Sequence, residues 1–341
     1  MTIDRRSFIA ATAATVAAPS FLAPRALGDD PLPPPIGSGS QRYAVNHSFL
    51  SPLQGTSWGD THGVAQDAAG RIYLAHTVGG GSEKPLAVCV YEADGRPVGG
   101  WGTDFAGGAH GLDLRKEGDR EYLYHCDTRR RCVVKTALDG TVVWTATCPM
   151  QSGVYGSASE WCPTNVAFHP GGDLFVGDGY GKGFIHLFGA DGQWKKIITK
   201  PGSGKGETSC PHGLGIDPRG KEPMLVVADR GNRRIQVLAL DGTPVAIHTD
   251  GVRMPCDMKF RGNLMLVPDL ESVVCLYDES FKPVVALGDG HPTNLRGQPT
   301  ESFQFGRFVH PHDAIWLADG SILVAEWVPQ GRVTRLVPVK G

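Results

Sequence analysis

The stretch "CPHGLGIDP", Cys210 to Pro218, decides the fold, because its parts return along the chain. "AHGLDL" around His110 and "PHDAIW" around His312 are strong copies, and "THGVAQD" at His62, "PTNVAFHP" at Thr164 and "PCDMKFR" at Cys256 are weaker ones. Subtracting the positions 62, 110, 164, 212, 256 and 312 in order gives spacings of 48, 54, 48, 44 and 56 residues. Each copy is followed by an apolar run that ends on an acid or its stand-in. The runs are "IYLAH" to His76, "YLYHCD" to Asp127, "LFVGD" to Asp178, "LVVAD" to Asp229, "LMLVPD" to Asp269 and "ILVAE" to Glu326. A third run then leads in most repeats to an Asp-Gly turn, as in "CVVKTALDG" and "IQVLALDG". Short strands and turn signals repeating every 40 or 50 residues or so make a β-propeller. The chain is therefore expected to be all-β, a six-bladed β-propeller.

The blades are expected at residues 62–101, 110–144, 164–194, 212–247, 256–287 and 312–339. Two longer inserts, residues 148–161 before blade 3 and 289–309 before blade 6, have the length of loops that line the mouth of a site. "RYAVNHSFL" from Arg42 is expected to pair with the C-terminal "RVTRLVPV", since each alone would leave an open sheet edge.

With 341 residues, 41% of them hydrophobic, the chain can bury a large core, and its 46 glycines and 25 prolines suit many tight turns. A formal charge of −2 argues against nucleic acid as the main partner, because phosphate binding needs a concentrated basic face. The one basic run, Arg129 to Arg131, is short enough for a solvated turn. Residues 1–28 are read as a twin-arginine signal peptide, with Arg5 and Arg6 before an Ala-rich stretch and "ALG" at its end. The apolar run is too short to span a bilayer, so no membrane span is expected after cleavage. The destination is periplasmic or extracellular. Residues 29–41 are read as a Pro/Gly/Ser-rich tether, residues 42–341 as the propeller, and the secreted protein as a monomer. Eight cysteines in an exported chain invite disulfides, with Cys126 and Cys132, flanking a hairpin turn, the first pair to test.

His110, His212 and His312 share one register in blades 2, 4 and 6. Alternate blades of a six-fold ring stand about 120° apart, so these imidazoles are expected to converge on the channel axis. Three neutral imidazoles with an open fourth position suit a catalytic zinc. The competing expectation is a set of hydrogen-bonded channel histidines without a metal. His62 holds the same register in blade 1, and Thr164 and Cys256 hold it in blades 3 and 5. His310 is either a partner of His312 or an ordinary loop residue. Tyr180 and Arg230 follow the acids that end the second strands of blades 3 and 4, which aims both at one end of the channel. A phenol with pKa near 10 becomes a base beside a cation, and an arginine can grip a carboxylate with two prongs. The structural alternatives are an aromatic wedge between blades for Tyr180 and a salt bridge with Asp229 for Arg230.

"VADRGNRRIQVL" resembles an NHL repeat. Over roughly residues 60–338 the chain resembles the peptidyl-α-hydroxyglycine α-amidating lyases, most at "CPTNVAFHPGGDLFVGDGYGKGFIHLF", "CPHGLGIDP", "VADRGNRRIQ" and "HPHDAIWLADGSILVAE". The resemblance implies zinc on His110, His212 and His312, with Tyr180 and Arg230 as the catalytic pair. It also implies a structural calcium on Asp313 and the backbone carbonyls of Val64 and Leu112. Two positions depart from the family pattern. Thr77 follows His76 where the family has a second arginine, and Gly181 stands where the family has a disulfide cysteine beside the tyrosine. Arg129 is a candidate replacement for that arginine. The expected activity is a zinc-dependent carbon–nitrogen lyase that splits an N-acyl α-hydroxyglycine, small molecule or peptide, into an amide and glyoxylate. The rivals are a metal-dependent hydrolase or lactonase on the same fold, and a non-catalytic binding propeller.

Overall fold

A computed structural model of the chain describes residues 33–291 and 294–339. The continuous apolar runs become strands buried on both faces. Met224–Asp229 and Ile322–Glu326 are examples, as expected of a sheet covered on each side by a neighbour. The outermost strands behave differently. Pro244–His248 alternates between half-buried and exposed positions, and Val142–Ala146 is mostly exposed, so burial decreases from the axis outward.

These strands build six antiparallel meanders, the blades of a six-bladed β-propeller. Their innermost strands are Thr61–Gln66, Ala109–Glu117, Asn165–Phe168, Pro211–Asp217, Lys259–Arg261 and Pro311–Trp316. Blade 6 is completed from the other end of the chain: Gln41–Asn46 pairs with Arg332–Pro338, with Tyr43 opposite Pro338 and Asn46 opposite Arg335. The tether is shorter than its composition suggests. Ile36–Ser38 pairs with Gln41–Asn46 and adds a fifth strand to this blade, because a Gly-Ser turn lets the chain fold back on an otherwise open edge. The signal segment, residues 1–28, and tether residues 29–32 lie outside the described residues. Among the described residues the only helical elements are short 3-10 turns, and no helix is long and apolar enough to cross a membrane.

The core is divided among the blade interfaces. Six apolar clusters each join two neighbouring blades, such as Val226, Ala228 and Ile235 of blade 4 against Met258, Met265 and Val267 of blade 5. This arrangement rules out the expected Cys126–Cys132 disulfide. Cys126 pairs with Val133 across the hairpin, so Cys126 and Cys132 point to opposite faces. Cys126 packs toward blade 3 and Cys132 toward blade 1, and all eight cysteines are free thiols.

The acids that punctuate the repeats have a structural job. Asp178, Asp229, Asp269 and Glu326 are at most 2% exposed, and each accepts backbone N–H groups from the loop entering its blade's innermost strand. The donors include Cys162 to Asp178 at 2.7 Å, Ser209 to Asp229 at 2.7 Å, Met254 to Asp269 at 2.8 Å and Val309 to Glu326 at 2.8 Å. A buried carboxylate is tolerated there because several donors replace its lost water. Asp229 also pairs with Arg234 Nε at 2.7 Å.

Two stability experiments follow from this architecture. Removing residues 33–46 uncovers the edge of Arg332–Pro338 and the apolar partners of Tyr43, and should lower Tm by roughly 10 °C. An unchanged melting curve excludes this strand from ring closure. Asp229→Ala strands the Arg234 charge and the Ser209 amide, and urea titration should report a loss of about 3–5 kcal/mol.

Candidate metal centre

All six innermost strands start at the same end of the channel, and four of them start irregularly. Pro211 pairs with Asp229 and Gly213 with Ala228, which leaves His212 as the extra residue of a β-bulge. His312 sits in the same interruption between Pro311 and Asp313. The register also skips across His62, between Thr61 and Val64, and across His110, between Ala109 and Leu112. A bulge re-aims the side chain it carries, and here it turns the imidazoles toward the axis. The residue after His62, His110 and His212 is glycine, whereas Asp313 follows His312. A Cβ on Gly111 would come within 2.3 Å of the Thr164 carbonyl oxygen, and one on Gly213 within 2.3 Å of the Cys256 carbonyl oxygen.

That close approach puts a carbonyl within reach of each imidazole. His110 Nδ1 lies 2.9 Å from Thr164 O, His212 Nδ1 2.8 Å from Cys256 O, and His312 Nδ1 3.2 Å from His62 O. In each case the acceptor belongs to the next blade around the ring. A carbonyl only accepts, so each Nδ1 carries the proton and each Nε2 presents a lone pair. The three rings form a nearly equilateral set, with centroids 4.9, 4.7 and 4.8 Å apart.

His62 is the fourth member. Its ring centroid is 4.7 Å from that of His110 and 4.5 Å from that of His312. Its Nδ1 faces His312 Nε2 at 3.3 Å, not a carbonyl. Burial pushes His110 down to about 3 and holds His62, His212 and His312 well below the usual 6.5, so all four are neutral at physiological pH.

The Nε2 lone pairs of His110, His212 and His312 compete for two donors, and the Nε2 lone pair of His62 lies outside that count. Tyr180 Oη lies 3.2 Å from His110 Nε2 and 3.0 Å from His212 Nε2, and its single proton serves one of them. His62 Nδ1–H serves His312. One buried lone pair is left short, and the imidazoles border a cavity of about 10 Å³, room for one atom-sized guest. A divalent cation would satisfy all three nitrogens, so the donor set fits a metal. Among the described residues, ligand atoms within 4.8 Å of one another fall in two sets, His62 with His110 and His312, and His212 with Cys256 and His312. The expected trio is therefore divided: His110 and His212 stand in different sets with the Tyr180 hydroxyl between them, and His62 takes the place expected of His212. Burial pushes the Cys256 thiol up to about 12, against the pull of Arg230, which keeps it a weak ligand beside the imidazoles.

Tyr180 and Arg230 meet at the mouth. Tyr180 is 43% exposed along its ring, while its hydroxyl reaches in to the histidines. The Arg230 guanidinium carbon lies 5.3 Å from the Tyr180 ring centroid. Burial raises the phenol to about 12, with Arg230 opposing that rise. Arg230 does not pair with Asp229, whose partners are Arg234 and Asn232. His76 is a buried structural residue whose Nδ1 faces the Val78 amide at 3.0 Å, and His310 Nδ1 meets Leu270 O at 2.7 Å.

The sequence pattern missed Arg296, carried by the insert at residues 289–309. Thr77 Oγ1 accepts the Asp60 amide at 2.9 Å, and Arg296 Nη2 binds Asp60 Oδ1 at 2.7 Å. Arg296 stacks on Trp327 with its guanidinium carbon 3.6 Å from the ring centroid. Its charge reaches His62, whose basicity falls through burial, then His110, then Arg296. Arg129, in contrast, is exposed and donates to Ala106 O. Only the length of the insert hinted at this role.

Deeper in the channel the expected calcium residues meet differently. Val64 approaches Asp313 through its amide N–H, 2.8 Å from Oδ2, and the positive charge among the carboxylates is Lys259. Burial alone would lower that ammonium, but Asp113 and Asp257 more than offset it and hold its pKa well above 10.5. Lys259 thus places a positive charge against Asp113 and Asp257 in the same layer as Val64, Leu112 and Asp313.

No protein-family profile matches the chain. Peptidyl-alpha-hydroxyglycine alpha-amidating lyase 1 of Drosophila melanogaster is 25% identical over 329 residues, covering 84% of this chain. The chain spans 58% of that relative's length. Among solved structures, a streptogramin B lyase aligns with TM-score 0.57 at 12% identity, over 88% of this chain and 99% of that one. Virginiamycin B lyase from Staphylococcus aureus gives 0.57 at 9% identity over 87% and 100% of the two chains. A luciferin-regenerating enzyme gives 0.54 at 12% identity over 86% and 95%. At such identities these structures share the propeller fold and nothing finer.

Elemental analysis of the purified protein should find about one transition-metal ion per chain, held among imidazoles whose centroids stand 4.7–4.9 Å apart. His110→Ala, His212→Ala and His312→Ala should each lose it, while His62→Ala, whose Nδ1 is not held by a carbonyl, should keep it. Metal retained by all three of the first variants rejects this ligand set.

Proposed function

We propose that the protein is a zinc-dependent lyase that cleaves an N-acyl α-hydroxyglycine, a carbinolamide, into an amide and glyoxylate. The single observation that carries the reading is the stack at the channel mouth. Three imidazole rings face one another with centroids 4.7–4.9 Å apart, the Tyr180 hydroxyl lies within hydrogen-bond reach of Nε2 on His110 and His212, and Arg230 lies against the Tyr180 ring. The distant similarity to an amidating lyase supports the same reading. Three neutral imidazoles fit zinc by donor type. Bound there, zinc would supply a Lewis acid for the substrate hydroxyl and, together with Arg230, a positive charge that draws the Tyr180 phenol down from about 12.

The remaining work falls to the chain's own residues. Tyr180, as phenolate, takes the proton of the substrate hydroxyl. The oxygen's electron pair forms the aldehyde carbonyl as the C–N bond breaks toward nitrogen, and Tyr180 returns its proton to that nitrogen, so no water or redox partner is consumed. Arg230 orients the substrate carboxylate with paired N–H donors. Arg296 supplies a second positive charge next to Thr77, where the related lyases carry an arginine.

We place this activity in an exported, monomeric protein acting outside the cytoplasm on a small-molecule or peptide substrate. Zinc-loaded protein should release glyoxylate from an N-acyl α-hydroxyglycine. Tyr180→Phe should retain its zinc and lose turnover by about 100-fold or more. Undiminished turnover in that variant removes Tyr180 from the chemistry, and no glyoxylate from the zinc-loaded wild type rejects the lyase.

A further inference from the structure

Below the imidazoles the axis carries a second charged cluster that the lyase reading does not use. Lys259 Nζ lies 2.8 Å from Asp113 Oδ1 and 2.6 Å from Asp257 Oδ2. Asp113 Oδ2 accepts from Asn165 Nδ2 at 3.0 Å, and Asn165 Oδ1 accepts the Leu214 amide at 3.0 Å. Asp313 lies against Asp257 and accepts the Val64 amide at 2.8 Å. Val64, Asp113, Asn165, Leu214, the Asp257–Lys259 pair and Asp313 belong to blades 1 to 6 in turn, so the cluster touches every blade.

We propose that the Lys259 ammonium is a tethered internal cation standing in for calcium on the propeller axis, so that this chain clasps its six blades without a calcium ion. The register explains how one side chain can do this. Lys259 stands three residues after Cys256 in blade 5, and Asp113 three after His110 in blade 2. These blades face each other across a six-fold ring, so the lysine crosses the channel to its partner.

The need for a cation is visible in the carboxylates. Asp257 and Asp313 are each 4% exposed, and the Oδ1 atom of each has no hydrogen-bond partner among the described residues. Lys259 compensates Asp257 through Oδ2, while both Oδ1 atoms stay unpartnered, so the ammonium offsets the buried charge without bonding every oxygen. The manner of compensation favours the ammonium. The contacts at 2.6 and 2.8 Å suit charge-assisted N–H···O bonds. A calcium ion would instead gather about 6–8 oxygens at roughly 2.3–2.6 Å. A covalently attached cation also avoids the loss that dilution imposes on a free ion.

The test is thermal unfolding of the full chain, stripped of metals, reloaded with zinc, and melted with and without millimolar calcium. Wild type should contain no stoichiometric calcium as purified, and its Tm should not respond to the ion. Lys259→Ala should melt several degrees lower without calcium and recover most of that loss when calcium is added. Asp113→Asn, which keeps the lysine but removes a partner, should melt lower and remain indifferent to calcium. A wild type that retains calcium or gains several degrees from it overturns the proposal, even if Lys259→Ala does not fold. So does a Lys259→Ala variant as stable as wild type in the absence of calcium. Neither readout uses catalysis, so the proposal stands or falls separately from the lyase.

Discussion

The arrangement at the axis rests on one hydrogen bond repeated three times, from a histidine Nδ1–H to the backbone carbonyl of the neighbouring blade. The bond fixes the tautomer, the tautomer exposes the Nε2 lone pair, and the ring's symmetry brings three such imidazoles to within 4.7–4.9 Å of one another. For it to form, adjacent innermost strands must nearly touch. That is why glycine follows His110 and His212, and why the acids at the strand ends hold the entering loops so firmly. Stability and site geometry are consequently set by the same contacts.

Charge along the channel is arranged in layers. At the mouth Arg230 and Arg296 are positive, the imidazoles beneath them are neutral, and the carboxylates around Lys259 lie deeper. Past that clasp the channel widens into a cavity of about 680 Å³ that includes Phe168, Phe260 and Trp316 in its walls. A cation seated on the imidazoles would be repelled from the mouth by the two arginines and attracted from below by the carboxylates. Arg230, without a carboxylate partner among the described residues, favours an anionic guest above it, whereas Arg296 is already paired with Asp60.

Particular residues separate what could be foreseen from what could not. His110, His212 and His312 were legible because a fixed period places equal registers at equal angles, and the strand of residues 42–50 because an unpaired edge demands a partner. His62 shares the register, yet its role as a hydrogen-bond neighbour of His312 depends on a bulge that no spacing reveals. The failed Cys126–Cys132 pairing has a similar origin. Nearness in a hairpin says nothing about which face each thiol takes until the cross-strand register is known. Arg296 was invisible because a long insert reaches the mouth along a path that follows no repeat.

The amino-acid sequence alone determined the number of blades, their order and the closure of the ring, since periodic burial and edge pairing are local, repeating requirements. It also marked the register at which histidines could meet. Tertiary structure decided which nitrogen of each imidazole is free, that Arg230 lies against Tyr180, and that Lys259 bonds Asp113 and Asp257 in the layer below the histidines. Those outcomes depend on contacts between residues from different blades, with Asp113 and Lys259 146 positions apart and His62 and His312 250 apart, and only the closed ring brings them together.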